Sequence, residues 1–551
     1  MHATEPRGGI ASAPGRRRPR VVGRDQEVPL VTGVSRRYIN LDDAASAPPL
    51  VDVAQAVDAF LPWYSSVHRG AGFKSRVSTA AYEGARDALR SFLGARPDDA
   101  VIITRNTTDA ANLLASSLPA QARVVAFASE HHANLLAWQR RPVTYLPIPD
   151  SPGAALAQLD HALRGVGGRE TLVAVTGASN VTGEIWPVRE IAAVAHRHGA
   201  RVFVDAAQLA PHGPIDMVAL DVDYLALSGH KMYAPYGAGA LLGRPDWLAR
   251  GAPFLRGGGA VTFVTLDEVV WADLPDRQEA GSPNVLGAVA LGVACRALAA
   301  YGMDTLAEDE RALQAYARAR LAAVPGLDLY ALWDATCPRV GILTFNLRGY
   351  HHSKLAAILS AEYGVGVRHG CFCAHPLLLH LLRVGGDQAG DLRAALRRGE
   401  HPPLPGAVRL SLGLDTTRAD IDYATEALLA IAEDGPRWRY QARADADEYE
   451  PTPDTRPWPL LAVGLAGDNG RGRAQGAGSE TAASDIARAA TADADADAPP
   501  DYIKVVPEWR DDGADGRDRG GDRQADRPAA ATSSGAVRMV GDEVAGADIL
   551  K

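Results

Sequence analysis

The chain has 551 residues, of which 47% are hydrophobic, and a formal net charge of −9. This length and apolar content predict two packed domains, while the mixed charge argues against a nucleic-acid-binding protein driven by a basic surface. No run approaches the roughly 18 apolar residues of a membrane span and no apolar secretory signal opens the chain, so we expect no membrane partner and a cytoplasmic location.

The N-terminal residues differ in composition from those that follow. Residues 1–37 place Arg16–Arg18 among glycine, proline and alanine without an apolar period, which predicts a disordered basic arm. Ordered structure is predicted to begin at Tyr38 with a short strand that runs into a turn of small residues. In that turn Ala44 and Ala45 would let a substrate approach the backbone closely.

An anion site is predicted at the start of the next helix. The apolar run Val101–Ile103 is followed by Thr107 and Thr108 and then by a helical pattern that reaches Leu118. Free N–H groups and the dipole at a helix start both favour phosphate, so Thr107 and Thr108 are predicted phosphate ligands. An ordinary helix cap is the alternative interpretation of the same residues.

Strand and helix patterns then alternate, which predicts an α/β fold with a mostly parallel sheet and helices on both faces. The predicted strands cover residues 124–128, 172–176, 202–204 and 224–227. In such sheets, ligands gather at the carboxyl ends of the strands. Polar side chains follow these strands in turn, namely His131, Asn180, Asp205, Gln208, Ser228, His230 and Lys231.

The lysine in this set is unusual for the chain, because only five of the 57 basic residues are lysines. A desolvated lysine amine can form an imine and lose its proton near neutral pH, whereas arginine can do neither. We therefore predict that Lys231 holds pyridoxal phosphate (PLP) as a Schiff base. A surface lysine in a loop after a strand is the alternative.

The neighbours of Lys231 suit the parts of that cofactor. Asp205 would pair with the protonated pyridine nitrogen and keep the ring an electron sink, and His131 would stack on the ring face. Gln208 and Asn180 would donate to the phenolic oxygen. The phosphate would also contact the small polar residues Ser228 and His230. Taken singly, each residue has a commoner structural role, but their succession at strand ends favours a cofactor site.

Five motifs carry a resemblance to a known family. They are YINLDDAAS at 38–46, EHHAN at 130–134, DAAQ at 205–208, SGHK at 228–231 and EAGSPN at 279–284. From Tyr38 to Ala432 the chain resembles the class V aminotransferase-like, fold-type I PLP enzymes. Within them it resembles the group II cysteine desulfurases and selenocysteine lyases.

The resemblance implies a PLP-binding large domain over residues 38–300 and a smaller C-terminal α+β domain over residues 301–434. It also implies a homodimer in which residues 279–284 reach the partner's phosphate, with Ser282 where a threonine is usual. Arg409 matches the arginine that binds the substrate α-carboxylate, a role that suits a bidentate guanidinium.

The resemblance also assigns chemistry to the loop Gly366–Pro376, where Cys373 matches the sulfur-accepting cysteine. The implied reaction converts L-cysteine to L-alanine: Lys231 removes the α-proton and Cys373 takes the sulfur as a persulfide, for delivery to a sulfur-acceptor protein. Two alternatives stay open. One is an aminotransferase, epimerase or lyase activity on another amino acid, and the other is a non-catalytic scaffold.

The spacing of Cys371 and Cys373 also permits a metal site or a redox couple. Two thiols alone make a poor zinc site, even with His369 and His375 nearby, so no metal is predicted. In an extended loop both thiols would point the same way. Positive charge on Arg368 and on the two histidines would favour the reactive thiolate.

Two differences from the family and one long tail complete the sequence. Gly72 stands where the family has a second histidine, and residues 374–408 form a longer connection than the family pattern leads us to expect. Residues 435–551 are rich in alanine, aspartate, glycine and arginine, which predicts a disordered tail. A short element at Tyr502–Trp509 is the exception within it.

Overall fold

The computed structural model describes residues 18–68, 70–166, 168, 170–443, 447–457 and 503–505. The α-helices are α1 (Val51–Phe60), α2 (Phe73–Phe92), α3 (Thr107–Ser117), α4 (His132–Leu136), α5 (Pro152–Val166), α6 (Val188–Arg197), α7 (Pro245–Leu248), α8 (Val285–Tyr301), α9 (Met303–Ala322), α10 (His352–Tyr363), α11 (His375–Leu381), α12 (Gly386–Arg397) and α13 (Arg418–Asp434). Short 3₁₀ helices cover Leu61–Trp63, Gly229–Lys231 and Asp276–Gln278.

The strands are mostly short. They are β1 (Glu27–Pro29), β2 (Ser35–Arg37), β3 (Ile39–Asn40), β4 (Ala100–Thr104), β5 (Arg123–Phe127), β6 (Val143–Leu146), β7 (Thr171–Thr176), β8 (Arg201–Asp205), β9 (Tyr224–Ser228), β10 (Gly239–Gly243), β11 (Val261–Val264), β12 (Val269–Trp271), β13 (Leu327–Tyr330), β14 (Ile342–Leu347), β15 (Val365–Gly366), β16 (Arg368–Gly370), β17 (Ala407–Ser411), β18 (Tyr440–Ala442), β19 (Tyr449–Pro451) and β20 (Ile503–Val505).

An eight-stranded sheet forms the larger core, in the order β20-β6-β5-β7-β8-β9-β10-β4. Only β10 runs antiparallel to its neighbours, so the predicted mostly parallel sheet is confirmed. Along β5, Val125 and Phe127 pack into one apolar cluster while Val124 and Ala126 pack into another on the opposite face. Both faces are buried because helices cover them, as parallel sheets require.

A smaller antiparallel sheet, in the order β13-β14-β17-β16, lies in the C-terminal half of the fold. Its apolar residues form a separate cluster with α9, α10 and α13. Strand β14 and helix α10 belong to this part of the fold. This sheet positions the site because β17 carries Arg409 and β16 leads into the cysteine loop.

The prediction of a disordered arm is wrong for residues 18–37. Strands β1 and β2 pair as an antiparallel hairpin, and Leu30 and Val31 are buried. The Val31 N–H donates to the carbonyl of Ala361 at 3.0 Å, which fixes the hairpin to α10. The apolar segment was too short to show a period, and it is ordered by tertiary contacts. The Arg16–Arg17 part of the predicted arm lies outside the described residues.

The prediction of a disordered tail is wrong for its first residues. Strands β18 and β19 pair, and the buried Glu362 carboxylate on α10 accepts hydrogen bonds from the N–H groups of Arg437 and Trp438 and from the Tyr440 hydroxyl. One carboxylate thus orders a segment that has little apolar surface of its own. Within the predicted element Tyr502–Trp509, β20 pairs in parallel with β6; most of the remaining tail lies outside the described residues.

No single helix in the described part of the chain is long and apolar enough to cross a membrane. The adjacent helices α8 and α9, bent by 77°, meet the length and composition criteria only as a pair.

Candidate active site

The predicted strand-end residues meet in one cavity of about 230 Å³ at the carboxyl edge of the large sheet. Its lining includes Ala44 and Ala45 from the N-terminal turn and Arg409 and Cys373 from the C-terminal half. It also includes the remaining predicted residues except one, namely Thr107, Thr108, His131, Asn180, Asp205, Gln208, Ser228, His230 and Lys231. Residues far apart in sequence therefore form a single site.

Lys231 ends the short 3₁₀ helix that follows β9 and lines the cavity. Burial lowers the pKa of Lys231 from 10.5 to about 8, and the nearby Asp205 carboxylate opposes that shift. Arg409 lowers this pKa further, and Cys373 raises it. An amine with this pKa is partly neutral near physiological pH, and so it can act as a nucleophile or accept a proton.

Asp205 is the last residue of β8 and is buried. Its Oδ1 accepts a hydrogen bond from the Ala207 N–H at 3.0 Å, which fixes the carboxylate at the strand end. Burial raises the pKa of Asp205, whereas the Ala207 hydrogen bond and the charge on Lys231 oppose the rise. A buried carboxylate of this kind is stabilised by a cationic partner, such as a protonated ring nitrogen.

His131 caps the helix α4, because its Nδ1 accepts a hydrogen bond from the Ala133 N–H at 3.0 Å. Burial lowers the pKa of His131 to about 3, and the charge on Lys231 lowers it further. The ring is therefore neutral and carries its proton on Nε2. A neutral, fixed imidazole suits stacking against a flat ring.

The predicted phosphate end lies at the start of α3. Asn106 is the helix cap, because its side chain accepts from the Asp109 N–H. Thr107 donates its N–H to the Ser228 hydroxyl at 2.9 Å, and its own hydroxyl lies 2.8 Å from the same oxygen. Hydroxyls from two strand ends therefore meet at a helix N-terminus, which favours an anion. The helix cap at Asn106 and the predicted anion site at Thr107 thus lie next to each other at the start of α3.

The two amides have other partners than the predicted phenolic oxygen. Asn180 donates from Nδ2 to the carbonyl of Phe372 at 2.7 Å. Gln208 donates from Nε2 to the carbonyl of Ala44 at 2.8 Å, and its buried Oε1 has no hydrogen-bond partner among the described residues. Asn180 therefore holds the cysteine loop, while Gln208 holds the N-terminal turn and keeps one buried polar atom unpaired.

Arg409 lies in the central part of β17 and is buried. Its guanidinium donates to the carbonyl of Asn180 at 2.9 Å and to Asp42 at 3.3 Å, and its Nε has no partner within the described parts of the chain. Burial lowers the pKa of Arg409. A buried cation with an unused donor is suited to bind a substrate carboxylate.

The cysteine loop is not extended between its two thiols. Phe372 and Cys373 both have φ of +54°, so the chain turns sharply between the two thiols. Cys371 packs beside a small apolar cluster around Phe372, whereas Cys373 is exposed and lines the cavity. The rule that residues two apart point the same way holds only for an extended backbone, so it does not apply to these two thiols.

The predicted histidine charges near the thiol are also wrong. Burial lowers the pKa of both His369 and His375, and the His375 ring stacks on His132 with centroids 5.1 Å apart. Both rings are therefore neutral near pH 7. Arg368, which lines the cavity, is the cation that remains of the predicted set.

Ser282 does not line this cavity; it lines a second one of about 370 Å³ with His68 and Glu279. This position is compatible with the predicted role toward a partner subunit, which stays a prediction. Gly72 is the exposed residue before α2 and does not line the active-site cavity. Residues 374–408 form α11, α12 and their connections, and α12 buries only Ala395.

Sequence reasoning gave no role to two residues of the site. Asn106 lines the cavity as the cap of α3, and the Asn-Thr-Thr-Asp pattern was the available signal. Glu130 is fully buried and accepts from Asn134 and from the Thr176 N–H. Burial raises the pKa of Glu130 to about 8, and the carboxyl group joins α4 to the end of β7.

The residues present fit PLP. Hydroxyls at a helix N-terminus suit the phosphate, the neutral His131 suits the ring face, and Asp205 suits the pyridine nitrogen. Lys231 supplies an amine with a lowered pKa, and the unpaired Gln208 Oε1 marks a polar contact left for a ligand. Together these groups suit the phosphate, the ring face, the pyridine nitrogen and the imine-forming carbon of the cofactor.

Comparisons with known proteins agree with this geometry. A family model for class V aminotransferases matches residues 39–424. A probable cysteine desulfurase of Halalkalibacterium halodurans is 37% identical over 62% of this chain and 85% of that protein. A cysteine desulfurase of Dickeya dadantii is 40% identical over 61% of this chain and 83% of that protein.

Solved structures show the same relationship. The crystal structure of the cysteine desulfurase CsdA from Escherichia coli is 31% identical, with a TM-score of 0.60 over 71% of this chain and 94% of that one. The apo cysteine desulfurase of Thermococcus onnurineus is 27% identical, with a TM-score of 0.64 over 75% of this chain and 99% of that one. The chain belongs to the class V aminotransferase family of PLP-dependent enzymes, in its cysteine desulfurase-like branch.

Proposed function

We propose that this enzyme converts L-cysteine to L-alanine and transfers the sulfur to Cys373 as a persulfide. The observation that carries the proposal is the position of Cys373: it is exposed, yet it lines the same cavity as Lys231 and Arg409. A thiol for sulfur, a base for the α-proton and a cation for the carboxylate are thus brought together. The cysteine desulfurase names of the relatives support the same reaction.

Each residue has a defined part in the reaction. Arg409 binds the substrate carboxylate and Lys231 removes the α-proton, because its lowered pKa leaves neutral amine available. PLP, when bound, supplies the electron sink that permits loss of this proton. Cys373 then attacks the substrate sulfur: the Cβ–S bond breaks, a new S–S bond forms, and the carbon skeleton is protonated to alanine.

The turn at Cys373 explains how one thiol serves both the cavity and a partner. Backbone at positive φ is strained for residues other than glycine, and the Asn180 and His132 contacts hold the loop in this conformation. Release of those contacts would let the persulfide move toward solvent. We therefore propose a sulfur-acceptor protein or a small thiol as the next recipient.

We also propose a homodimer, supported by the second cavity that Ser282 lines with His68. In this arrangement Ser282 would contact the phosphate of the partner's cofactor. Analytical ultracentrifugation tests the dimer, and Ser282→Ala should lower cofactor retention without lowering the dimer content. The cytoplasmic location stays a prediction, testable by fractionation of cells that express the chain.

The central test is Cys373→Ser, with Cys371→Ser as the matched control. We expect Cys373→Ser to lower alanine and sulfide formation from cysteine, with a thiol reductant present, by at least about 100-fold. Its visible cofactor absorbance should be unchanged. Cys371→Ser should retain most of its activity, because Cys371 does not line the cavity.

The activities of the same two variants also distinguish the proposed desulfurase from the alternative functions. If Cys371→Ser is the inactive enzyme, the two thiols have exchanged roles. If both variants release alanine from cysteine at the original rate, sulfur transfer to this loop is wrong. An aminotransferase, epimerase or lyase activity on another amino acid then takes its place, since Lys231 and Arg409 suit any α-amino acid.

A further inference from the structure

A histidine-rich cluster lies on the small sheet's side of the molecule, outside the active-site cavity. His351 precedes α10, His352 is its first residue, and Asp447 lies two residues before β19. Each side chain offers one ligand atom, and these atoms all lie within 4.8 Å of one another. The cluster therefore has the chemistry and the spacing of a metal site.

The hydrogen-bonding state of these rings needs explanation. Both ring nitrogens of His351 and the Nδ1 of His352 are buried without a hydrogen-bond partner in the described part of the chain. His352 is only 5% exposed, and its Nε2 lies 3.1 Å from the carbonyl of Leu404. Buried polar atoms normally have partners, so three unpaired nitrogens in two adjacent rings point to a ligand.

The distances to Asp447 fit coordination better than hydrogen bonding. The Nε2 of His351 lies 3.4 Å from one carboxylate oxygen, which is longer than a normal hydrogen bond. The Nε2 of His352 lies 3.6 Å from the other oxygen but already donates to the Leu404 carbonyl, so the unpaired Nδ1 is the ligand atom that His352 offers. Ligands bound at about 2.0–2.1 Å around a tetrahedral ion lie about 3.3–3.4 Å apart. An ion between the three side chains would fill this gap. The carboxylate also offsets the positive end of α10.

The cluster is accessible and lies at a junction. His351 and His352 line a surface cavity of about 320 Å³, which provides an entry path. The Tyr449 N–H donates to the Ser353 hydroxyl at 3.0 Å, so β19 is already seated on α10. The His352 ring stacks on His369 with centroids 5.6 Å apart, and His369 belongs to β16, the strand that enters the cysteine loop.

We propose that His351, His352 and Asp447 bind a divalent transition-metal ion of the zinc class, with water completing the coordination. Two imidazoles and one carboxylate match the ligand preference of that ion. The ion would fasten the hairpin β18–β19 to α10 behind the cysteine loop. This site is independent of the proposed desulfurase reaction, because none of its ligands lines the active-site cavity.

The test uses the full-length PLP-loaded enzyme, stripped with a chelator and dialysed against zinc chloride. We expect about one zinc ion per chain by elemental analysis, and a first shell of nitrogen and oxygen at about 2.0–2.1 Å by X-ray absorption, without sulfur at about 2.3 Å. His351→Gln and Asp447→Asn should each weaken zinc binding by at least about tenfold. Zinc should also protect the β18–β19 hairpin of the parent enzyme from protease. It should give no such protection in the two ligand variants.

Two controls exclude other sites and misfolding. His380→Gln changes an exposed histidine of α11 and should bind zinc like the parent. The double variant Cys371→Ser, Cys373→Ser should also bind it, which separates this cluster from the thiols. Cofactor absorbance and circular dichroism confirm that each variant is folded. No zinc uptake by the parent, a sulfur shell, or unchanged binding in both ligand variants would overturn the proposal.

Discussion

The two sides of the active-site cavity are built in different ways. On one side, Asp205 ends β8 and Lys231 ends the 3₁₀ helix after β9, and both strands are buried almost along their whole length. On the other, Cys373 lies in a turn with two residues at positive φ, ahead of the short helix α11 and the largely exposed helix α12. The residues that the proposed reaction assigns to the substrate Cα therefore belong to the ends of buried strands, whereas the proposed sulfur acceptor lies in a turn held by the Asn180 and His132 hydrogen bonds. The following predictions test this division.

The largest effect on activity is expected on the side of the cavity that strands β8 and β9 build. Lys231→Ala should lower alanine formation from cysteine by at least about a thousandfold, because it removes the cofactor's amine partner and the proton acceptor together. The visible band of the bound cofactor should change as well. Lys74→Ala, an exposed lysine at the start of α2, is the matched control. A Lys231→Ala enzyme with the original spectrum and rate would contradict the assignment.

A smaller effect on activity is expected from a change to the residue that lies between the two sides of the cavity. Arg409→Lys should raise KM for cysteine by about 10- to 100-fold, because a lysine cannot reproduce the forked guanidinium. The contact to Asn180 would be weakened too. Steady-state kinetics measure the change, and Arg348→Lys, an exposed residue at the end of the same small sheet, is the control. An unchanged KM would mean that another group binds the carboxylate.

The pH dependence of α-proton exchange should report the titration of Lys231. Burial lowers the Lys231 pKa to about 8, so the neutral, proton-accepting amine increases as pH rises through that value. Exchange of the substrate α-proton with deuterium should increase about tenfold from about pH 7 to about pH 9.

Cys373 provides the check on that profile. Its charge raises the Lys231 pKa, so Cys373→Ala should move the exchange profile to lower pH. A profile that is flat across this range would show that Lys231 is not the group that titrates.

The smallest effect on activity is expected from loss of a hydrogen bond that holds the cysteine loop. Asn180→Ala removes the hydrogen bond to the Phe372 carbonyl and should slow persulfide formation by about three- to tenfold. The loop should also become more sensitive to protease. Asn112→Ala, an exposed residue of α3, serves as the control. A change in cofactor absorbance instead would place Asn180 at the cofactor, as the sequence predicted.

Much of the site followed from local patterns. Alternating strand and helix signals predict the parallel sheet, and the topology of such a sheet brings the ends of β7, β8 and β9 to one edge. Asp205 was identifiable because it directly follows an apolar run, and Lys231 because it is one of only five lysines and lies in the turn after the run 224–227. Local sequence patterns were thus sufficient to indicate which residues meet in this part of the cavity.

Other features depended on contacts between distant segments. The family resemblance already selected Cys373, but the turn at positive φ that separates it from Cys371 is indicated by neither residue type. The order of residues 18–37 and of the β18–β19 hairpin came from docking on α10, because neither segment has enough apolar surface of its own. The His351, His352 and Asp447 cluster arises for the same reason. Local propensity does not indicate which distant segment will contact a given residue. Those contacts form only when the small sheet and its helices pack together.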